Sequence, residues 1–224
     1  MHTNDGGYAL TRIAGIVLAA GSSTRFGQPK QLVEWQGVPF IVRTVATAAR
    51  AGLAPIVVVL GSHAEEVREA LERAGLDSVL CLAMNWRWGE GIASSVQVGL
   101  MALPPDCDGA IFLHCDQPLL PPDLLRGLVK RFEESGKPIV HPGHDGRRLP
   151  PALFGRALFA ELAALRGDVG GRAVIERHAG EVAVLPIADP LPLSDVDTLE
   201  DLERLQRLAP AASRATSASA NVLS

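Results

Sequence analysis

The sequence predicts a single α/β domain: a mostly parallel sheet with helices on both faces. Three observations carry that expectation. Short continuous apolar runs (Ile13–Leu18, Ile56–Leu60, Ala110–Leu113) have the length of strands buried on both faces. Amphipathic stretches of helical period alternate with them. The chain has 224 residues, 47% apolar and 21% charged, enough for one domain with a substantial core.

The elements follow in chain order. Residues 1–12 are polar and glycine-containing and read as a flexible N-terminus, followed by the domain at 13–208. Ile13–Leu18 is the first strand. Gln31–Trp35 and Gly37 read as an extended piece and a turn, and Pro39 opens a helix that runs to Arg50 and stops near Gly52. Ile56–Leu60 is the second strand, with Ser62 an N-cap for the next helix. Val67, Ala70, Leu71 and Ala74 form one face of that helix, and Gly75 ends it. Val79–Leu82 is the third strand. A loop from Asn85 enters a helix with Ile92, Val96, Leu100 and Leu103 on its buried side.

Ala110–Leu113 then leads to Asp116. Pro121-Pro122-Asp123 opens a helix whose core face is Leu125, Leu128, Val129 and Phe132. Lys137–His141 is a strand, 142–148 a turn-rich segment, and Leu149–Phe154 an extended piece placed at an edge by its two prolines. Asp168 reads as the N-cap of a helix ending near His178. Val182–Pro186 is a strand, Thr198 with Asp201 resembles a capping box, and Leu199, Leu202 and Leu205 form a helical stripe. Residues 209–224, rich in Ala and Ser, read as a disordered tail.

Composition narrows function. The formal net charge of −4 lacks the basic excess of a nucleic-acid surface. No apolar run approaches bilayer length. Three cysteines without a Cys-x-x-Cys pair fit a reducing, cytoplasmic compartment.

The chemistry concentrates in Leu18-Ala19-Ala20-Gly21-Ser22-Ser23-Thr24-Arg25-Phe26-Gly27-Gln28-Pro29-Lys30. A buried strand runs into glycines, hydroxyls and two cations, which suits a loop wrapping a triphosphate. The segment is neither a dinucleotide fingerprint nor a Walker loop, because Gly21 is followed by Ser22-Ser23 and Gly27 by Gln28-Pro29. The second signal is Asp116, a carboxylate where a buried strand leaves the sheet, suited to a nucleotide-bound Mg²⁺. His114 and Cys115 do not suggest zinc, since adjacent strand side chains point to opposite faces. The third is Asn85-Trp86-Arg87-Trp88-Gly89-Glu90-Gly91-Ile92-Ala93-Ser94-Ser95, which offers donors at a helix N-terminus in the same crevice.

Leu-Ala-Ala-Gly-Ser-Ser-x-Arg-x-Gly-x-x-Lys resembles the signature of nucleotidyltransferases, and most closely that of the molybdenum cofactor (molybdopterin) cytidylyltransferases. The resemblance covers about residues 13–208 and implies a Rossmann-like, glycosyltransferase-A-like fold. It implies transfer of CMP from CTP to the phosphate of a molybdopterin-type cofactor with release of pyrophosphate. Arg25, Lys30 and Asp116 would be catalytic. Leu18, Ala19, Ala20, Gly21, Ser22, Ser23, Arg25, Lys30, Asn85, Gly91 and Ser95 would contact nucleotide, and Asp116 and Asp197 would hold Mg²⁺. Ser94, Arg147, Arg148, Gly170 and Arg172 fall where the family meets its acceptor.

Ala20 is the feature favouring CTP, since guanylyl relatives typically show Leu-Ala-Gly-Gly. The sequence departs from the family at Leu149-Pro150-Pro151, where Gly-His-Pro is usual. Two alternatives therefore stand beside the main expectation. One is a transferase using GTP or a sugar or alcohol phosphate. The other is a non-catalytic cofactor carrier for a molybdoenzyme partner.

Overall fold

The computed structural model describes residues 11–22 and 28–208. The strands are β1 (Ile13–Ala19), β2 (Glu34–Trp35), β3 (Val38–Pro39), β4 (Ile56–Leu60) and β5 (Leu80–Met84), then β6 (Gly109–His114), β7 (Ile139–His144), β8 (Arg147–Arg148), β9 (Ala152–Gly155) and β10 (Val182–Pro186). The helices are α1 (Phe40–Arg50), α2 (Ala64–Arg73), α3 (Ile92–Met101), α4 (Pro122–Ser135), α5 (Phe159–Ala163), α6 (Arg172–Arg177) and α7 (Leu199–Leu208).

One sheet runs β10-β7-β9-β6-β1-β4-β5, with β8 hairpinned onto β7. It is parallel except around β9 and β8. The expected α/β domain, with a mostly parallel sheet and helices on both faces, is present. Alternate residues of β1 explain the layering. Ile13, Val17 and Ala19 enter a core with Phe40, Val45, Val67, Leu125 and Leu128 from α1, α2 and α4. Ala14 and Ile16 enter a second core with Val96, Leu162 and Val174 from α3, α5 and α6. A strand buried on both faces has no polar side, hence the uninterrupted apolar run.

Several local expectations are corrected. The third strand is Leu80–Met84, because Val79 lies in a 3₁₀ turn over Asp77–Val79. Lys30–Leu32 is also a 3₁₀ turn, so the extended piece shrinks to the β2–β3 pair. The turn-rich 142–148 segment is the end of β7, a turn at Asp145-Gly146 with positive φ at both residues, and β8. β9 is central, between β6 and β7. Pro150 and Pro151 precede its first paired residue, Ala152, so their missing donors lie outside the ladder. On α3, Val96 is buried and Leu100, with Leu103 just beyond, packs partly buried against the same core as expected, while Ala93, Ser94, Ser95 and Gly99 are buried as well. A Cβ at Gly99 would come within 2.5 Å of Ile16, so small residues let this helix sit tightly on the sheet.

Of the terminal segments expected to be loose, 1–10 and 209–224 lie outside the described residues. Arg12 is anchored: its N–H donates to Asp108 at 2.8 Å, and its guanidinium pairs with Asp106. No helix among the described residues is long and apolar enough to cross a membrane. The free thiols are an exposed Cys81 and buried Cys107 and Cys115. Burial raises the pKa of the Cys115 thiol, as does the neighbouring charge of Asp116.

Near the end of α6, His178 bonds Glu161 of α5 at 2.6 Å and Glu181 at 2.7 Å. These bonds raise the His178 pKa, and His178 and Arg177 lower that of Glu161. The histidine's contribution to stability is complete below its ordinary value of 6.5 and is lost as pH rises through the raised folded value. The Glu161 contribution is present above 4.5 and lost on acidification. His178→Gln is therefore expected to lower the melting temperature near about pH 6 and to have little effect near about pH 9. Thermal denaturation at both values checks this.

Candidate functional site

The crevice lies outside the carboxyl ends of β1, β4, β5 and β6, where ligands bind in open α/β sheets. β1 ends at Ala19, and the carbonyls of Ala19, Ala20 and Gly21 are each held. Ala19 and Gly21 accept from the Gln31 side-chain amide at 2.9 and 2.7 Å. Ala20 accepts from the Ser62 N–H at 3.1 Å, and Gly21 also from the Ser62 hydroxyl at 3.2 Å. A trans peptide points its N–H opposite to its C=O. Carbonyls held inward at Ala20 and Gly21 therefore aim the N–H groups of Gly21 and Ser22 outward. Ala20, Gly21 and Ser22 line a cavity of about 550 Å³ together with Trp88, Gly91, Ser95 and His114. Ser62 thus braces this loop instead of capping α2, whose N-cap is His63 without a side-chain bond.

Three predicted residues converge at Lys30, next to the Gln31 that holds the Ala19 and Gly21 carbonyls. Lys30 Nζ lies 3.0 Å from Asp116 Oδ2 and 2.7 Å from Asp197 Oδ1. Burial opposes the charged ammonium, but Asp116 and Asp197 outweigh it and hold the Lys30 pKa above its ordinary value. Asp116 lies in the turn just after β6, beyond the carboxyl end of that strand. Its carbonyl accepts from Val196 N–H at 2.8 Å, which brings the 195–197 segment alongside. The Gln117 amide tightens that join, donating to Leu193 O at 2.9 Å and Asp195 Oδ1 at 3.1 Å. Burial and nearby Asp116 raise the Asp195 pKa. The Thr198–Asp201 capping box forms as expected, with Thr198 N–H to Asp201 at 3.0 Å and the return bond at 3.1 Å.

A metal can be tested against these groups. Among the described residues no set of three or more His, Cys, Asp or Glu is placed to hold one. A nucleotide-bound Mg²⁺ needs fewer, since phosphates and water complete its octahedron. Among the described residues, Asp116 Oδ1 is buried without a hydrogen-bond partner. An orphaned carboxylate oxygen is costly unless a cation meets it. The Asp116–Asp197 pair therefore fits a divalent cation.

The 85–95 loop behaves differently from expectation. Asn85, buried, donates to Ser94 Oγ at 2.9 Å and Ser95 Oγ at 3.0 Å, and accepts from Arg87 N–H at 2.9 Å. The N-terminal N–H groups of α3 are also taken: Ile92 donates to Asp168 Oδ1 at 3.3 Å and Ala93 to Gly167 O at 3.1 Å. Asp168 therefore caps α3 from a distant loop, not its own helix α6. The anion site expected at this N-terminus is filled by the protein itself. Gly91, at φ 102°, allows the two loops to touch: a Cβ there would lie 2.4 Å from the Gly167 carbonyl carbon.

A second cavity of about 640 Å³ shares Leu18, Ile92 and His114 with the first. Its walls include Val96, Phe112, Phe154 and Leu162, and its rim includes Arg147, Arg148, Gly170 and Arg172. Glu176 orients two of these cations, at 3.3 Å from Arg148 and 2.9 Å from Arg172. His141, on the wall, is buried, which lowers its pKa. Its Nδ1 donates to Pro142 O at 2.8 Å.

Leu18, Ala20, Gly21, Ser22, Gly91 and Ser95 all line the first cavity. Ala19 is buried in the core, and Ser94 is turned inward. Ser23 and Arg25 lie outside the described residues. Sequence reasoning missed Gln31, Gln117, His114 and His141. The two glutamines stand within one residue of Lys30 and Asp116, and that adjacency was the available signal.

Comparison with known proteins accords with this geometry. The MobA-like NTP transferase domain matches residues 15–182. A probable molybdenum cofactor guanylyltransferase of Bacillus cytotoxicus is 29% identical over 138 residues, covering 62% of this chain and 65% of that protein, just under two thirds. Purine catabolism protein PucB of Bacillus subtilis is 30% identical over 203 residues, covering 84% of this chain and 93% of its own. Among solved structures, Mycobacterium tuberculosis Rv0371c in complex with manganese superposes with a TM-score of 0.69 at 30% identity, over 88% of this chain and 99% of that one. With its paired carboxylates and a domain match over most of its length, this chain belongs to the MobA-like NTP transferase family of nucleotidyltransferases.

Proposed function

We propose that this protein transfers CMP from CTP to the phosphate of a molybdopterin-type molybdenum cofactor and releases pyrophosphate. The observation that carries the reading is Lys30 held between Asp116 and Asp197. An acceptor phosphate oxygen attacks the α-phosphorus, and the P–O bond to pyrophosphate breaks. The nucleophile is already anionic, so no general base is needed. The protein supplies positioning and charge neutralisation.

In this reading the Gly21 and Ser22 N–H groups hold the triphosphate. Lys30 stabilises charge developing on the α-phosphate, and Arg25 holds the β- and γ-phosphates. Asp116 and Asp197 hold Mg²⁺, which when bound neutralises phosphate charge. The Rv0371c manganese complex supports a divalent ion. Asn85 and Ser94 position the loop from within. The larger cavity takes the acceptor, with apolar walls for a flat ring and cations at its rim for the phosphate. A cytoplasmic setting, supported by the cysteine pattern, and hand-over to a molybdoenzyme partner, supported by the family resemblance, belong to the same reading.

CTP is preferred through the Leu-Ala-Ala-Gly signature. GTP is the second reading, favoured by the Bacillus cytotoxicus relative's name. Ala20 is 2% exposed and packs against Gly61. Its methyl therefore acts on the base through loop shape more than by direct contact. Pyrophosphate release with CTP, GTP, ATP and UTP, with and without molybdopterin-type cofactor, tests the reading. Release with CTP only when the cofactor is present is expected. Release with GTP instead reverses the base assignment, and release with a sugar phosphate removes the cofactor. Nucleotide binding without release favours the carrier. Replacing Arg148 and Arg172 together by Ala is expected to raise the acceptor KM by about tenfold and leave the CTP KM unchanged. Steady-state kinetics with each substrate varied checks it.

A further inference from the structure

Lys30 stands on the same carboxylates that a divalent cation needs. Its Nζ touches one oxygen of each, at 3.0 Å from Asp116 and 2.7 Å from Asp197. An ammonium and a metal ion compete for the same pair of carboxylates, because like charges held close together repel in a part-buried site. The carboxylates in turn need a cation. They are delivered side by side through the Asp116 carbonyl bond to Val196, and unscreened they would repel one another. Among the described residues Asp116 Oδ1 has no partner, so the ammonium only partly satisfies the pair.

We propose that Lys30 is the resident counter-ion of the metal site. Without nucleotide it bridges Asp116 and Asp197, stabilises their approach and keeps free divalent cations out. A nucleotide's phosphates offer the ammonium a second anionic partner, and its flexible four-carbon stem lets it move to them and free the carboxylates. Metal and nucleotide therefore bind with strong positive coupling, and the protein alone holds metal weakly. The inference rests on the proposed assignment of Asp116 and Asp197 to the metal.

The test is Mn²⁺ titration of the nucleotide-free protein, read by the paramagnetic resonance signal of free Mn²⁺. Lys30→Met keeps the stem and removes the charge, and Lys30→Gln serves as a second variant. Both are expected to bind Mn²⁺ at least about tenfold more tightly than wild type, and Asp116→Asn placed on Lys30→Met is expected to erase that gain. Binding in both lysine variants equal to or weaker than wild type overturns the proposal, as does a gain that survives Asp116→Asn. The metal assignment is read separately, by Mn²⁺ binding with CTP present. If Asp116→Asn matches wild type there, the assignment itself fails. If Asp116→Asn is defective but the lysine variants show no gain, only the counter-ion role fails.

Discussion

Asp116→Asn is expected to reduce turnover by about 10³-fold or more with the fold intact. The substitution removes a negative charge at the point where Lys30 and the proposed metal meet. It removes little else. The backbone bond from Val196 N–H to the Asp116 carbonyl is independent of the side chain. Asp197, at 2.7 Å, continues to hold Lys30. The Gln117 bonds that anchor the 193–195 segment are also untouched. Circular dichroism should therefore show an unchanged spectrum, and acceptor-dependent pyrophosphate release should collapse. Turnover within about tenfold of wild type would remove Asp116 from the chemistry.

Gly91→Ala is expected to act through structure. The residue sits at φ 102°, a region that side chains avoid. A Cβ there would lie 2.4 and 2.5 Å from the Gly167 carbonyl carbon and oxygen and 2.7 Å from Asp168 N, all backbone atoms that cannot rotate away. Relief requires the two loops to part, which breaks the bonds from Ile92 to Asp168 and from Ala93 to Gly167. A loss of about 2–4 kcal/mol in urea denaturation is expected, together with weakened nucleotide binding. Gly89→Ala is the control. Its Cβ meets nothing within 4 Å among the described residues, so its denaturation midpoint should stay close to wild type.

The sheet was legible in the sequence where both faces of a strand are buried. The runs in β1, β4 and β6 are apolar throughout because helices cover each side, and their short length separates them from buried helices. β9 was misplaced because its neighbours are chosen by tertiary pairing, while its prolines spoke only for the residues before the ladder. The capping assignments divide on the same ground. Thr198 and Asp201 cap their own helix, and local spacing reveals that. Asp168 caps α3 and Ser62 braces the Gly21 carbonyl, partners that local sequence does not indicate.

At the site, Lys30, Asp116 and Asp197 were legible by residue type and motif, and they do converge. Asn85 and Ser94 were legible as important, but burial directs their hydrogen bonds to each other and to the loop instead of the crevice. The apolar walls of the larger cavity were not visible in advance. Ile92, Phe112, Phe154 and Leu162 come from four separate elements, and each reads singly as ordinary core.

The central claim is that this crevice transfers a nucleoside monophosphate. CTP labelled at the α-phosphorus, incubated with molybdopterin-type cofactor and Mg²⁺, tests it most directly. The account predicts that the α-label moves onto the acceptor while a γ-label leaves as pyrophosphate, in equal amounts. A γ-label released as inorganic phosphate, or an α-label that stays on CTP while the nucleotide is bound, would contradict it.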